Sequence, residues 1–456
     1  FGPYPEVAKS LVLVFLLLAG LYTFAWLHRW INPGVAWMAG LLFLTPGMIT
    51  WSHAIMLNVP AAALMVGSLY HGRRWLENNP RSLQSLHLYL TAGLVLLTVL
   101  TYYPGGVVLL VLFAWMVGKV GWKGPWGWRI GVVALAGVAL LVPMIMVAAR
   151  LVPTHVDWVS RFLIEGIQPA SWTFYAHRMP RLFGPLLLML ATSGVLVAIA
   201  QRRWRREAWW LVVWIVVTYC SFAVLVAKEG RYILFMAPAL VCLSSIAVVA
   251  AARWLAAKVP RIRSAGPAFV ILIAVVMSWQ LWEVWKRPVP AVRGFAQVSS
   301  FLEEVAPAEP VLYDGYHSGI FTFHVRASDP DFNRQVILGN KLLYTYALHA
   351  GWREKQFATS QEEVVQLVRN VAGCRWLAVE IGARSEISPA MTLLRQTVET
   401  PDFERVRSFP IEGPKVERVD VYRLLGAVEP SNSVRLPFPL VSRDTFYEVE
   451  PIPARR

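Results

Sequence analysis

Cysteine is scarce, with only 3 in 456 residues. Cys220 and Cys242 fall inside long apolar runs and Cys374 stands alone in the polar tail, so neither a disulfide framework nor a zinc-ligand spacing is available. Acidic residues are also few, 28 Asp and Glu against 43 Lys and Arg, for a formal charge of +15. A basic excess can serve nucleic acid, but here it sits in alternate short loops, which is the pattern of a topology signal. No nucleic-acid partner is therefore expected. The tail has no GxGxxG, P-loop or HExxH motif, so no cofactor fingerprint is present. The start lacks an initiator Met, a charged n-region and an h-region with a cleavage pattern, and the chain is expected to be an internal piece of a longer one.

Apolar residues are abundant, at 56% of the chain. They recur in runs of about 20, the length that crosses ~30 Å of hydrocarbon. Ten spans are expected, centred on Val14, Leu42, Leu64, Leu94, Leu110, Ala136, Met189, Val216, Leu240 and Ile273. The predicted fold class is an α-helical polytopic membrane domain over residues 1–286. A soluble extracytoplasmic α/β domain with an extended C-terminal tail is expected over 287–456.

The basic loops are at Arg29; Arg73, Arg74 and Arg81; Lys119, Lys123 and Arg129; Arg202, Arg203, Arg205 and Arg206; and Arg253, Lys258, Arg261 and Arg263. The positive-inside rule puts all five in the cytoplasm. The intervening loops, at His53, at Tyr102 to Pro104, over 150–181 and at Lys228 to Arg231, then face outward together with the tail. A plasma (inner) membrane location follows. The 150–181 loop, rich in Trp and Tyr, reads as an interfacial segment at headgroup level.

In the tail, Val311 to Tyr313, Val336 to Leu338 and Trp376 to Val379 read as buried strands, and Phe295 to Val305 and Gln361 to Val371 as helices. Val406 to Ile411 and Val419 to Leu424 read as a closing strand pair. A partly parallel sheet is expected. Asp314, His317, Asp329 and Asp331 have no regular ligand spacing and read as solvated loops rather than a metal site.

Polar and ionisable residues gather on the outward loops: His53, Asn58, Tyr102, Tyr103, His177, Arg178, Lys228, Glu229, Arg231 and Tyr232. Charged groups at a membrane face mark functional sites by default. Arg, Lys and Tyr donors suit a phosphate, because charge-assisted hydrogen bonds hold its oxygens firmly. Lys228 and Arg231 could alternatively snorkel to lipid headgroups.

Glu229-Gly230-Arg231-Tyr232-Ile233-Leu234-Phe235-Met236-Ala237-Pro238-Ala239-Leu240 resembles the late motif of the polyprenol-phosphate-sugar-dependent glycosyltransferases of the GT-C class. That class includes dolichyl-phosphate-mannose protein mannosyltransferases and bacterial aminoarabinose transferases. Leu44-Thr45-Pro46 through Ser52-His53-Ala54 to Met56-Leu57-Asn58-Val59-Pro60, and Leu100-Thr101-Tyr102-Tyr103-Pro104-Gly105, resemble two further stretches of the family. Two departures stand out. Asn58 occupies a position where the family carries a carboxylate, and the family's catalytic Asp would lie upstream of Phe1.

The resemblance implies an inverting transfer, in which an upstream carboxylate activates an extracytoplasmic acceptor (protein, lipid or glycan) and fixed donors stabilise the leaving lipid phosphate. It assigns the lipid phosphate to Arg231 and Tyr232 first, Lys228 second, and His177 with Arg178 third. Glu229, His53, Asn58, Tyr102 and Tyr103 fall to the cavity and sugar. The expected partners are a polyprenyl-phosphate-linked sugar donor, membrane lipids and the acceptor. The motif set is compatible with metal-free catalysis and leaves a divalent metal open. The alternatives are a transporter or flippase of lipid-linked substrates, which would want ionisable groups at mid-membrane, and a non-catalytic envelope assembly protein.

Overall fold

The computed structural model describes residues 5–53, 56–78, 85–120, 169–223, 229–259, 265–287, 292–329, 333–347, 353–382, 388–413, 416–428, 434–437 and 446–449. The chain divides into two compact units: Glu6–Ile145 with Phe162–Val289, and Pro290–Arg456 with Phe1–Pro5 and Met146–Arg161.

The first unit is helical. Its described helices are α1 Pro5–Trp26, α2 Pro46–His53, α3 Asn58–Asn78, α4 Leu86–Thr101, α5 Val107–Val120, α6 Pro169–Phe183, α7 Pro185–Ala200, α8 Arg202–Ala223, α9 Ala237–Lys258 and α10 Ala265–Trp285. Three 3₁₀ helices, Pro33–Leu42, Tyr103–Gly106 and Gly230–Met236, link them. α9 is almost wholly buried, whereas Leu11, Val14, Leu17 and Leu21 of α1 and Val270, Ile271 and Val275 of α10 point outward. A unit that exposes whole apolar helix faces is built for lipid.

Among the described residues, three helical segments are long and apolar enough to cross a membrane: Val7–Ile31, Gly230–Lys258 and Ala265–Trp285. Two bent pairs raise the number to five. This criterion, applied to the described residues, does not confirm the expected count of about ten spans. α4 and α5 are short, α3 and α8 carry charged residues within the helix, and the run centred on Ala136 lies outside the described residues. The run centred on Leu42 is broken, with Pro33–Leu42 and Pro46–His53 meeting at 48°. Pro46 lacks the N–H that would continue the helix and instead starts α2.

α6 replaces part of the expected loop. Tyr175, Met179, Leu182 and Phe183 pack inward while His177, Arg178 and Arg181 remain exposed, a spacing that makes one apolar helical face. α6 and α7 meet at 112° across Gly184, whose φ of 86° suits glycine. Gln280 Nε2 donates to the Phe183 carbonyl there at 2.6 Å. α7 lies against α9 through small residues: Ser244 donates to the Leu187 carbonyl at 3.0 Å, and a Cβ on Gly194 would sit 2.0 Å from the Leu243 carbonyl oxygen. Close backbone approach through small residues is how helices associate without a hydrophobic drive between them.

Arg73 departs from its reading as a loop charge. α3 runs on to Asn78, and the Arg73 side chain is wholly buried (0% exposed), with Nη2 at 2.5 Å from Glu207 of α8 and Nε at 3.2 Å from Glu77. Its guanidinium stands 4.0 Å from the Trp30 ring centroid and 5.0 Å from that of Trp26. Trp30 Nε1 and Arg206 Nη2 both donate to Glu77, at 2.8 and 2.9 Å.

The second unit contains a five-stranded sheet in the order β2-β1-β5-β7-β6. The strands are β1 Val311–Asp314, β2 Val336–Leu338, β5 Trp376–Ile381, β6 Phe403–Pro410 and β7 Arg418–Leu424. β2, β1 and β5 are parallel, and β7 and β6 close the sheet antiparallel. α11 Phe295–Val305 and α12 Ser318–Ser328 cover one face. α14 Gln361–Gln366 and α15 Pro389–Thr397 cover the other, while a single turn, α13 Gly339–Leu342, follows β2. Two hairpins stand apart, β3 Tyr344–Ala347 with β4 Arg353–Gln356 and β8 Val434–Pro437 with β9 Phe446–Val449. The second pairs residues of the C-terminal tail that the sequence reads as extended.

Asp314 is buried and ion-paired with Arg395 at 3.6 Å. Asp329 accepts from the backbone N–H groups of Asn333 and Arg334, and Asp331 lies outside the described residues. Among the described residues no group of three or more His, Cys, Asp or Glu could hold a metal. His317 Nδ1 lies 3.0 Å from buried Glu380, which also accepts from the Tyr313 hydroxyl and from the Tyr316 and His317 backbone N–H groups. Burial would raise the Glu380 carboxyl, but His317, Tyr313 and the Tyr316 amide outweigh it and hold it below the ordinary carboxylate range.

Candidate functional site

α3 begins at Asn58 and reaches Glu77 about 19 residues later, ~30 Å along its axis at 1.5 Å per residue. One end holds the Arg73–Glu77–Glu207 ion pairs. At the other, the α2–α3 turn, α6 and the 3₁₀ helix Gly230–Met236 come together. This second end is where most of the outward-loop candidates lie.

Arg231 is the centre of the cluster. It follows Glu229, whose backbone is extended (φ −130°, ψ 137°), and Gly230, which opens the 3₁₀ helix. The guanidinium Nη2 donates to Glu229 Oε1 at 2.8 Å, and Nε lies 2.6 Å from Glu229 Oε2. That second approach is close but not aligned, and the buried Nε–H has no acceptor in hydrogen-bond geometry among the described residues. Nη1 donates to the Met56 thioether at 3.5 Å, a weak acceptor. The guanidinium also stands 5.7 Å from the Trp51 ring centroid and 5.9 Å from that of Tyr232, within cation–π range. The side chain is 21% exposed, so the charge is held at the surface of an apolar, aromatic wall.

Aromatic stacking fixes that wall. Tyr232 stacks on Phe222 of α8 at 5.3 Å with a 23° interplanar angle, and Tyr102 lies 6.4 Å from Tyr232 and 6.5 Å from Phe235. Tyr175, fully buried on the inner face of α6, sets its hydroxyl against the Glu229 backbone. Its ring packs edge-on against Tyr219 of α8, whose hydroxyl donates to the Trp172 carbonyl.

The structure therefore brings together Tyr102, Glu229, Arg231 and Tyr232, and adds Trp51, Met56, Tyr175 and Phe222. His53 ends α2 with its Nδ1 3.0 Å from the Ile49 carbonyl of its own helix. Asn58 is buried in the first turn of α3, and its Nδ2 has no partner among the described residues. His177 projects from α6 roughly opposite Tyr175, and Arg178 stands over Phe174 at 5.3 Å. Neither is joined to Arg231 by a described contact. Lys228 lies outside the described residues, as does the side chain of Tyr103, whose backbone opens the turn Tyr103–Gly106.

Trp51, Met56, Tyr175 and Phe222 are the contributors that residue type did not single out, and Tyr175 and Met56 show the two extremes. The i, i+4, i+7 recurrence of Tyr175, Met179 and Leu182 is the signal that finds Tyr175, because it makes α6 one-sided. Met56 carries no comparable signal.

No protein-family model matches the sequence, and no curated protein matches it. Among solved structures, the chain is similar to ArnT from Cupriavidus metallidurans in the apo state, with TM-score 0.55, 14% identity, and 93% of this chain and 84% of that one covered. The same protein bound to undecaprenyl phosphate gives TM-score 0.55 at 14% identity, covering 93% and 85%. The archaeal oligosaccharyltransferase AglB from Archaeoglobus fulgidus, in complex with an inhibitory peptide and a dolichol-phosphate, gives TM-score 0.52 at 13% identity. That match covers 83% of this chain and 58% of AglB. At these identities the likeness establishes the fold alone, which this chain shares with ArnT and AglB.

Proposed function

We propose that this chain is an integral-membrane glycosyltransferase that moves a sugar from a polyprenyl-phosphate carrier to an extracytoplasmic acceptor, with inversion. The observation that carries the reading is Arg231: a guanidinium held at one end of the helical unit, with an Nε–H that its neighbours leave without an aligned acceptor. A phosphate oxygen suits that donor, since charge-assisted hydrogen bonds from Arg to phosphate are strong and directional. The fold adds weight, because two of its similar structures hold undecaprenyl phosphate and a dolichol-phosphate.

In this reading Arg231 and Tyr232 stabilise the charge that develops on the leaving phosphate, Lys228 adds a second cation, and His177 with Arg178 serve the outer headgroup region. Tyr102, Tyr103, His53, Asn58 and Glu229 line the sugar side. A carboxylate acts as the general base on the acceptor. The basic loops face the cytoplasm of a plasma membrane, and the site and the unit after residue 290 face outward.

A transporter would want ionisable groups at mid-span. The buried charges instead sit in the last two turns of α3, paired and enclosed by Trp. The direct test is turnover of isotope-labelled polyprenyl-phosphate sugars by the full protein and by Arg231→Ala in native membranes. Loss of transfer at normal expression supports the reading, and unchanged transfer overturns it.

A further inference from the structure

Resting on the phosphate reading of Arg231, we propose that Glu229 is an internal stand-in for the ligand's oxyanion: it occupies the Nε/Nη2 edge of Arg231 and leaves it when the phosphate arrives. The guanidinium has two edges. Met56 Sδ takes one at 3.5 Å, and both carboxylate oxygens of Glu229 take the other, at 2.6 and 2.8 Å. A phosphate that uses the fork must displace one of them, and the fork-shaped edge facing Glu229 is the one that matches two oxygens.

The imperfect fit identifies a stand-in rather than a permanent partner. Glu229 is only two residues from Arg231, and its backbone is extended where that of Arg231 has turned into the 3₁₀ helix. The tether lets Oε1 align with Nη2 but leaves Oε2 close to Nε without hydrogen-bond geometry. A phosphate is free of that tether and can align with both N–H groups. Exposure also favours exchange: the Glu229 side chain is 44% exposed, so on release its carboxylate regains water, while Arg231 stays against Trp51 and Tyr232. In the unliganded protein the pair keeps the guanidinium oriented and partly screened from water, so little reorganisation remains at binding.

Displacing a partly exposed ion pair is inexpensive, so its removal gives a modest gain in affinity, about two- to fivefold. The test is equilibrium binding of farnesyl phosphate and of inorganic phosphate to the full protein in nanodiscs, for wild type, Glu229→Gln, Glu229→Asp, Arg231→Ala and the double variant Glu229→Gln/Arg231→Ala. Farnesyl phosphate should bind two- to fivefold tighter to both Glu229 variants. It should bind at least tenfold weaker to Arg231→Ala, and Glu229→Gln should add nothing once Arg231 is gone. A parallel gain for inorganic phosphate assigns the exchange to the oxyanion alone, and a gain confined to farnesyl phosphate assigns it to a lipid headgroup; both support the stand-in. Unchanged or weaker binding in both Glu229 variants, at wild-type melting temperature, overturns it even if Arg231→Ala loses the ligand. Wild-type binding by Arg231→Ala overturns the phosphate reading beneath it.

Discussion

Arg73 of α3 and Glu207 of α8, separated by 134 positions in the chain, meet at 2.5 Å in a site where Arg73 has no exposed surface. Glu77 accepts from Nε of the same guanidinium, which stands over the rings of Trp26 and Trp30. The pair ties together two helices whose other ends carry Asn58 and Phe222, beside the Arg231 cluster.

Arg73→Ala should destabilise the helical unit by about 3–5 kcal/mol, because it leaves Glu207 and Glu77 without their buried counter-charge. Thermal unfolding in detergent reads this directly. Glu77→Gln, which loses a partner that is partly accessible, should cost less than Arg73→Ala. Equal losses would mean that the Trp cage, rather than the ion pairs, carries the stability.

Arg231→Lys separates charge from geometry. Lys keeps the positive charge but lacks the planar fork. Transfer should fall in both variants, by ~100- to 1000-fold for Arg231→Ala and by less for Lys. If Lys and Ala are equally defective, the fork matters and charge alone does not.

Gly194→Val should disrupt the α7–α9 contact. The Cβ would sit 2.0 Å from a backbone carbonyl oxygen that no rotamer change can move. A loss of at least ~1–3 kcal/mol is expected from overpacking, with reduced yield of folded protein in membranes. Gly93, whose Cβ would meet nothing within 4 Å, is the control: Gly93→Ala should leave melting unchanged or slightly raised.

The Glu380 carboxyl is held below its unfolded range, so its contribution to the sheet-containing unit is present above the unfolded pKa of about 4.3 and is lost as pH falls through the lower folded value. Hydrogen exchange of the β1 and β5 amides, followed from pH 6 down to pH 3, should show protection falling toward the acid end. Glu380→Gln should flatten that dependence. A wild-type profile in Glu380→Gln would place the acid sensitivity elsewhere.

Element type was largely legible wherever one periodicity ran unbroken. Phe295 to Val305 is a helix with the bounds expected, and Val311 to Tyr313, Val336 to Leu338 and Trp376 to Val379 are parallel strands, because strands of a parallel sheet covered on both faces read as short continuous apolar runs. The expectations weakened where one run held two structures. The run at Leu42 hides a break at Pro46, and the Trp-rich segment before Arg181 hides the one-sided helix α6. Charge was the least reliable guide. Arg73 and Arg206 read alike as loop cations, yet one is wholly buried and the other is 56% exposed.

By itself, the sequence showed that its long apolar runs suit lipid, that a part after them holds the alternating apolar runs of an α/β sheet, and that the chemically capable residues gather on particular turns. These follow from composition, run length and periodicity, which are local properties. Only the tertiary structure decided which of those residues meet. Arg231 stands with Trp51, Met56 and Glu229 rather than with His177 or His53, because the ends of α2, α3, α6 and the 3₁₀ helix Gly230–Met236 converge there. Convergence depends on which helix faces pack, and sequence spacing carries no direct record of contacts between residues 175 positions apart.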